Sequence, residues 1–264
     1  MASQNIQHFF HPISGTISYV VADDDTKEAI IIDPVADYDP ESDKISYESA
    51  QDLIAHVEAK SLHIVAILET HIHADHLSGS FYLSKYFNAP ISVSEGVKEV
   101  YAQWKGDLCL SELYHFEHFL LESDEMDFGN SHLEVMSTPG HTPSDLTFKI
   151  GDALFVGDSL FYHGTGRADF PGGSAEKMFE SIRKLYELKD NTEVYLCHNY
   201  PDKVENLHYK TTIGDEKHDN TMLDEQTTRA QFVEIREGRD GQLPPPKLLQ
   251  PALEFNLTAS HSSH

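Results

Sequence analysis

Positive charge is what this chain has least of. It carries 19 Lys+Arg against 44 Asp+Glu, a formal charge of −25 at pH 7. A nucleic-acid binder needs a positive surface to displace phosphate counterions, and an anionic leaflet repels an acidic chain in the same way. Neither nucleic acid nor a membrane is therefore an expected partner. Cysteine is nearly missing too. Cys109 and Cys197 stand alone, too few for a disulfide framework and in keeping with a reducing cytoplasm. Long apolar runs are absent: the longest, Ile64 to Leu68, is about a quarter of the ~20 residues that a spanning helix requires. No Lys or Arg precedes Lys27 and no long apolar stretch follows Met1, so no secretory leader is expected. The apolar fraction is still 39%, with 15 Gly beside it, close to the globular norm, so a sizeable core is available and disorder is not expected. These absences point to a soluble cytoplasmic globular protein.

Histidine, by contrast, is plentiful, at 17 residues. Where these histidines fall depends on the order of elements. Ile17 to Ala22 and Ala29 to Ile32 read as short strands divided by the turn-forming Asp23-Asp24-Asp25, and Asp33-Pro34 ends the second. Ala50, Leu53, Ile54 and Val57 recur at helical spacing within Tyr47 to Lys60. Leu62 to Leu68 reads as a strand buried on both faces. A helix over Leu77 to Phe87, a strand over Ile91 to Ser94 and a helix over Glu95 to Trp104 follow. Residues 105–130 give no clear pattern. Strands are expected at Leu133–Met136, Leu146–Ile150, Ala153–Val156 and Glu193–Cys197, and helices at Ser174–Leu188 and Thr221–Glu237. After Pro244-Pro245-Pro246 comes a strand-like Leu253 to Leu257, then an end at Ser260 to His264 expected to fray. Strands alternating with helices argue an α/β layered architecture. The expected organisation is a single domain over 1–264, with 241–264 as a C-terminal tail.

The chemistry is concentrated at strand ends. Thr70-His71-Ile72-His73-Ala74-Asp75-His76 follows directly on the apolar strand ending at Leu68. In extended backbone His71 and His73 project to one side, and Asp75 and His76 fall where the chain turns. Three imidazoles and a carboxylate so close together would be costly to bury without a partner, and such donors select zinc, iron or manganese. His141 lies in the turn Thr138-Pro139-Gly140-His141-Thr142, Asp158 follows Val156-Gly157, and His198 stands in Cys197-His198-Asn199-Tyr200. Each of these three also follows a strand, where ligand sites of α/β sheets are built.

This pattern, His71-x-His73-x-Asp75-His76 followed in order by His141, Asp158 and His198, resembles the metallo-β-lactamase superfamily over about residues 10 to 257. The resemblance implies a four-layer αβ/βα sandwich with metal at the edge between two sheets. In the dinuclear hydrolases of that superfamily the equivalents of His71, His73 and His141 hold one metal. Those of Asp75, His76 and His198 hold the second, and the equivalent of Asp158 bridges. Phe161 to Phe170, with Gly164-Thr165-Gly166-Arg167-Ala168-Asp169-Phe170, is similar to a segment of persulfide dioxygenases, as are His198-Asn199-Tyr200 and Leu243-Pro244-Pro245-Pro246-Lys247. The form Ala168-Asp169-Phe170-Pro171-Gly172-Gly173, and Cys197-His198 ahead of the Tyr, is closer to bacterial hydrolase-like relatives of that group. Dioxygenases of this type use one iron, held by the equivalents of His71, His141 and Asp158, a two-His, one-carboxylate set with open positions.

Two activities follow from the resemblance. The first is a mononuclear Fe(II) persulfide dioxygenase, one iron per chain, oxidising a thiol persulfide to sulfite, with His73, Asp75, His76 and His198 orienting ligands and water. The alternative is a Zn(II) hydrolase of a thioester, lactone or related acyl compound, with one or two zincs per chain, a metal-bridging hydroxide and Asp75 to orient it. The first is the expectation taken forward. A third, metal storage or partner binding without catalysis, is disfavoured by the complete ligand set. Either enzyme would act on a small molecule, and the chain is compatible with a homodimer. Where dioxygenases using glutathione persulfide carry an Arg two residues after their Asn, this chain has Met222 after Asn220, which removes a bidentate carboxylate anchor. Arg167 is a candidate for substrate binding or for bracing its loop through Asp169, the latter favoured. Tyr200 is a candidate pocket wall and donor. Cys197 reads as a small buried hydrophobe rather than a redox thiol. His163, His208 and His218 belong to no motif, and His261 and His264 read as tail.

Overall fold

The computed structural model describes residues 4–261. The first half runs β1 (Gln4–His11), β2 (Thr16–Asp23), β3 (Glu28–Ile32), β4 (Val35–Asp39), β5 (Lys44–Ser46), α1 (Glu48–Ala59), β6 (His63–Leu68), β7 (Leu77–Ser78), α2 (Ser80–Phe87), β8 (Ile91–Ser94), α3 (Val97–Trp104) and β9 (His118–Leu120). The second half runs β10 (Glu125–Phe128), β11 (Ser131–Ser137), β12 (Leu146–Ile150), β13 (Ala153–Phe155), α4 (Ala175–Tyr186), β14 (Glu193–Tyr195), β15 (Lys210–Thr212), α5 (Ile213–Asp219), α6 (Arg229–Asp240) and α7 (Leu249–Thr258). One six-stranded sheet has the order β1-β2-β3-β6-β8-β9, the other β10-β11-β12-β13-β14-β15, and β5-β4-β7 form a small third sheet.

Side-chain alternation builds the layers. In β2, Ile17, Tyr19 and Val21 point inward and join Ile30, Ile32 and Leu68 against Leu133, Val135, Phe148 and Phe155 of the facing sheet. Their neighbours Val20 and Ala22 point outward and pack on Leu53, Ile54 and Val57 of α1. The second sheet repeats the scheme, with Leu154, Val156 and Val194 packed on Met178, Ile182 and Leu185 of α4. Helix, sheet, sheet and helix thus form the αβ/βα sandwich. No helix among the described residues is long and apolar enough to cross a membrane.

The structure departs from the expected elements most clearly in the second half of the chain. Thr221–Glu237 is not one helix: α5 ends at Asp219, and α6 begins only after a capping box at Thr228. In that box the Gln231 backbone donates to Thr228 Oγ1, and the Thr228 backbone donates to Gln231 Oε1 at 2.9 Å. Leu253 to Leu257 is not a strand but the middle of α7. Its continuous burial (Ala252, Leu253, Phe255, Asn256 and Leu257) hid the helical period, which is read from an exposed face. The tail expected over 241–264 therefore contains a packed helix, and Ala252, Leu253, Phe255 and Leu257 share a core with Leu77, Val97 and Phe116. His261 also has a partner, Asp43 at 2.7 Å; residues 262–264 lie outside the described ones. The unpatterned 105–130 contains the short edge strands β9 and β10.

Candidate metal centre

The centre forms where strands of both sheets end. Asp33, at the end of β3, accepts from the Thr70 backbone at 2.7 Å and from Thr70 Oγ1 at 2.8 Å. That pins the first turn after β6, and the Leu146 N–H donates to the Thr70 carbonyl from the other sheet. The chain then runs irregularly through His71 to His76 into the two-residue β7, so the following helix starts at Ser80 rather than Leu77. Asp158 follows Gly157, whose φ of 53° and close approach to Thr70 admit no side chain: an added Cβ would lie 2.7 Å from Thr70 Oγ1. His198 follows β14 and is bridged to Thr16 at the start of β2.

His71, His141 and Asp158 each offer a ligand atom within 4.8 Å of the others. The hydrogen bonds fix which nitrogen each ring presents. Thr70 Oγ1 gives its proton to Asp33, so the His71 Nδ1 at 3.0 Å must donate to it. His141 Nδ1 donates to the Arg167 carbonyl at 2.7 Å. Both Nε2 lone pairs are thereby left free, and that of His71 is buried with no hydrogen-bond partner. A buried acceptor without a donor is costly, and a cation held with the Asp158 carboxylate removes that cost. Burial, then the neighbouring His73 and His141, hold His71 well below the usual imidazole range, which keeps it in the neutral form a metal takes. The donor set fits a divalent transition metal.

A second group, His73, Asp75, His76 and His198, also lies within 4.8 Å of one another, but its rings are otherwise engaged. His73 Nε2 faces Asp33 Oδ1 at 3.2 Å and Glu69 Oε2 at 3.4 Å. Burial opposes charge on that ring, yet the two carboxylates outweigh it and raise its pKa. His198 lies between two carboxylates, with Nδ1 2.6 Å from Asp158 Oδ1 and Nε2 2.8 Å from Asp75 Oδ2. Burial is again outweighed, by Asp158 first, and its pKa is raised. His76 is less engaged: burial and His73 lower it to about 4, and its Nε2, like the second nitrogen of His73, Nδ1, is buried with no partner.

A model of the metallo-beta-lactamase superfamily matches residues 14–198, a stretch that holds every one of these side chains. The chain belongs to the metallo-beta-lactamase superfamily. It is similar to a beta-lactamase hydrolase-like protein of Xylella fastidiosa, 38% identical over 96% of this chain but only 60% of that protein's length. It is also similar to glyoxylase B2 of Dictyostelium discoideum, 36% identical over 93% of this chain and 87% of that one. The mitochondrial persulfide dioxygenase ETHE1 of Bos taurus is 29% identical over 96% and 87%. Among solved structures, ETHE1 from Myxococcus xanthus superposes with a TM-score of 0.80 at 28% identity, covering 97% of this chain and 100% of that one. The protein is thus a metal enzyme of the superfamily.

The seven residues expected as ligands lie together in two groups, and His73, expected beside His71 and His141, falls instead with Asp75, His76 and His198. The Arg167 guanidinium is taken up by Asp169, at 2.6 and 2.8 Å, and by the Pro244 carbonyl at 2.8 Å, so its contacts brace the loop whose carbonyl holds His141. Tyr200 stacks parallel to His198 with ring centroids 6.1 Å apart and is 67% exposed, a surface position beside the centre rather than a core one. Met222 is buried, its sulfur 3.4 Å from Arg236 Nη1.

Several contributors went unrecognised in the sequence. Asp33 was legible only as a strand terminator, although it follows an apolar strand as Asp158 does. Glu69 sits one residue ahead of the motif. Asn256 of α7 donates to the carbonyls of His73 and His76, both at 2.9 Å, and accepts from the Ser78 backbone at 2.7 Å. Arg236 of α6 donates to the carbonyls of Thr165 and Gly166 at 3.1 and 2.9 Å and pairs with Asp240 at 2.6 Å. Asp240 in turn accepts from the Ala168 N–H at 2.9 Å. Nothing local in the sequence marks either residue as part of a metal centre.

Proposed function

We propose that this protein is a mononuclear iron persulfide dioxygenase. A thiol persulfide, dioxygen and water would give thiol, sulfite and two protons: the terminal sulfur is oxidised and dioxygen reduced. The observation that carries the reading is the division of the ligand atoms. Free lone pairs on His71 and His141 meet the Asp158 carboxylate in one group, while His73 and His198 are engaged by carboxylates in the other. His71, His141 and Asp158 would hold the iron. When bound, iron in such a set supplies open positions for sulfur and dioxygen and the redox chemistry. The chain's own part is to fix ligand orientation: the Arg167 carbonyl sets His141, Thr70 sets His71, and His198 holds Asp158. Tyr200, exposed and stacked on His198, would wall the substrate with its ring and donate from its hydroxyl. With Arg167 engaged by Asp169 and a thioether at position 222, the reading extends to a persulfide carrier other than glutathione.

A second reading, a dinuclear zinc hydrolase of thioesters or lactones, is favoured by the second group itself. There His73 Nδ1 and His76 Nε2 are buried without partners, as a second cation would require, and Asp75 would orient the attacking hydroxide. The test is elemental analysis of protein purified without added metal, with oxygen uptake and sulfite formation measured on a persulfide. One iron per chain with oxygen consumption supports the first reading. Two zincs, no oxygen uptake and steady thioester or lactone hydrolysis replace it with the second.

A further inference from the structure

A chain of hydrogen bonds leaves the centre from His76 and His198. Thr16 Oγ1 lies 3.2 Å from His76 Nδ1 and 3.1 Å from His198 Nε2. It is 2.7 Å from Ser14 Oγ, which is 2.7 Å from His11 Nδ1. The far nitrogen of His11, Nε2, has no hydrogen-bond partner, although the ring is only 8% exposed; its nearest carboxylate oxygen is Asp37 Oδ1 at 3.4 Å. His11 also lines a cavity of about 90 Å³ with Phe10, Ser18, Ser49 and Asp52, roomy enough for water, since ~10–15 Å³ of such space admits one molecule.

Two backbone groups give this chain a direction. The Ser14 N–H points at His11 Nδ1 and the Thr16 N–H at Ser14 Oγ, each at 3.3 Å. His11 Nδ1 and Ser14 Oγ are therefore acceptors. The hydroxyl protons then run outward, from Thr16 to Ser14 and from Ser14 to His11, and neutral His11 carries its proton on Nε2.

We propose that Thr16, Ser14 and His11 form a proton-release path from the metal centre to Asp37 and the adjoining cavity. Persulfide oxidation as written above frees two protons, so the inference rests on that reading for its proton source; thioester hydrolysis would free one. A proton arriving at Thr16 Oγ1 breaks the Thr16 O–H bond toward Ser14. The Ser14 O–H bond breaks toward His11 Nδ1, and the Nε2–H bond of the resulting imidazolium breaks toward Asp37, whose side chain is 21% exposed. One proton enters, one leaves to solvent, and no electrons change owner. The ring is then left with its proton on Nδ1 and the hydroxyls with theirs turned inward, so a flip of the imidazole and rotation of the two hydroxyls restore the starting state. Asp37 of β4 faces His11, Asp52 of α1 lines the same cavity, and Asp75 stands beyond Thr16; these carboxylates favour a proton in transit, against the burial of His11 and the imidazoles of His76 and His198 beside Thr16.

Ser14→Ala cuts the path with the loss of one oxygen atom. Removing a positioned proton-transfer group typically costs 10²–10⁴-fold, so kcat on a persulfide is expected to fall about 10²-fold. KM, iron content and the visible spectrum of the Co(II)-substituted protein should be unchanged. Ser14→Thr should restore the rate, and added imidazole should partly rescue His11→Gln. An unchanged kcat in Ser14→Ala overturns the path, as does a loss accompanied by an altered Co(II) spectrum, which would mark a structural role. If the wild-type protein consumes no oxygen, the oxygenase reading fails, and the same variants are compared on a thioester. Nitrogen-15 NMR of His11 decides independently of turnover: Nε2–H in the resting protein supports the direction assigned, and Nδ1–H overturns it.

Discussion

The stretch up to residue 198 and the stretch beyond it contribute to the centre in opposite ways. The first, from residue 14 onward, carries the superfamily match and supplies every imidazole and carboxylate of the two ligand groups. The second supplies none, yet α6 and α7 hold the backbone on which those side chains stand, through Arg236 with Asp240 and through Asn256. Ligand identity is thus encoded in the first stretch alone, whereas ligand placement draws on both, through Asp33, Thr70 and the Arg167 carbonyl in the first and through Arg236, Asp240 and Asn256 in the second. The first kind of residue recurs as a pattern of types at strand ends. The second acts on backbone carbonyls, which every residue has, and so leaves no pattern in the motif it supports.

The largest effect that separates the two regions comes from removing a ligand. His141→Ala is expected to abolish turnover and release the metal while leaving the sandwich folded, because His141 lies in the loop after β11 and outside the core. Metal analysis beside far-UV circular dichroism checks this; retained metal with full activity would remove His141 from the centre. His198→Ala divides the two functional readings. It should cripple a dinuclear hydrolase but only weaken a mononuclear oxygenase, in which His198 orients Asp158, by about 10–100-fold as other residues that position metal ligands do. Steady-state rates on a persulfide and on a thioester report which.

Chelation probes the same region by another route. A ligand present at a thousand times its Kd stabilises a fold by about 4 kcal/mol, and for a chain of this size each kcal/mol moves Tm by about 2–4 °C. Stripping the metal should lower Tm by about 8–16 °C, restored on adding it back, as followed by calorimetry.

The fold was largely legible because its core is written in two periods. Alternation in β2 and the three-to-four spacing of Leu53, Ile54 and Val57 each name the surface their residues face. The seven side chains were legible because four of them crowd into His71-x-His73-x-Asp75-His76, and His141, Asp158 and His198 each follow a further strand. What escaped was set by tertiary context. α7 is enclosed so fully that its period vanished, and the break before α6 depends on one capping box at Thr228. Asp33 and Glu69 are identified only by tertiary partners: Thr70 and His73 meet Asp33 across β4, β5, α1 and β6, and His73 meets Glu69 from four residues on.

Substitutions beyond residue 198 test whether placement is as separable from identity as the geometry implies. Arg236→Met removes one half of a buried pair, which typically costs about 3–5 kcal/mol, whereas replacing both halves with apolar residues is often close to neutral. The single variant should therefore be strongly destabilised, and Arg236→Met with Asp240→Leu should recover much of the stability in a urea titration. Recovered stability without recovered activity would show that the loop at 165–168 needs these two side chains to place the Arg167 carbonyl against His141.

Asn256→Leu is the finer test, since the side chain keeps much of its volume and loses only its polar atoms. The carbonyls of His73 and His76 and the Ser78 N–H would each lose a buried partner, at about 1–3 kcal/mol apiece before relaxation. A stability loss of about 3 kcal/mol is expected once β7 and α7 adjust. More telling is the distribution of the effect. Asn256 holds the second half of the 71–78 segment, so His73 and His76 should loosen while His71, fixed by Thr70, keeps its position. A mononuclear centre on His71, His141 and Asp158 would then retain its metal, and a dinuclear centre would lose its second ion first. Metal titration of Asn256→Leu therefore ranks the two regions and the two readings together: one ion bound as tightly as in the wild type favours the oxygenase, and a drop from two ions to one favours the hydrolase.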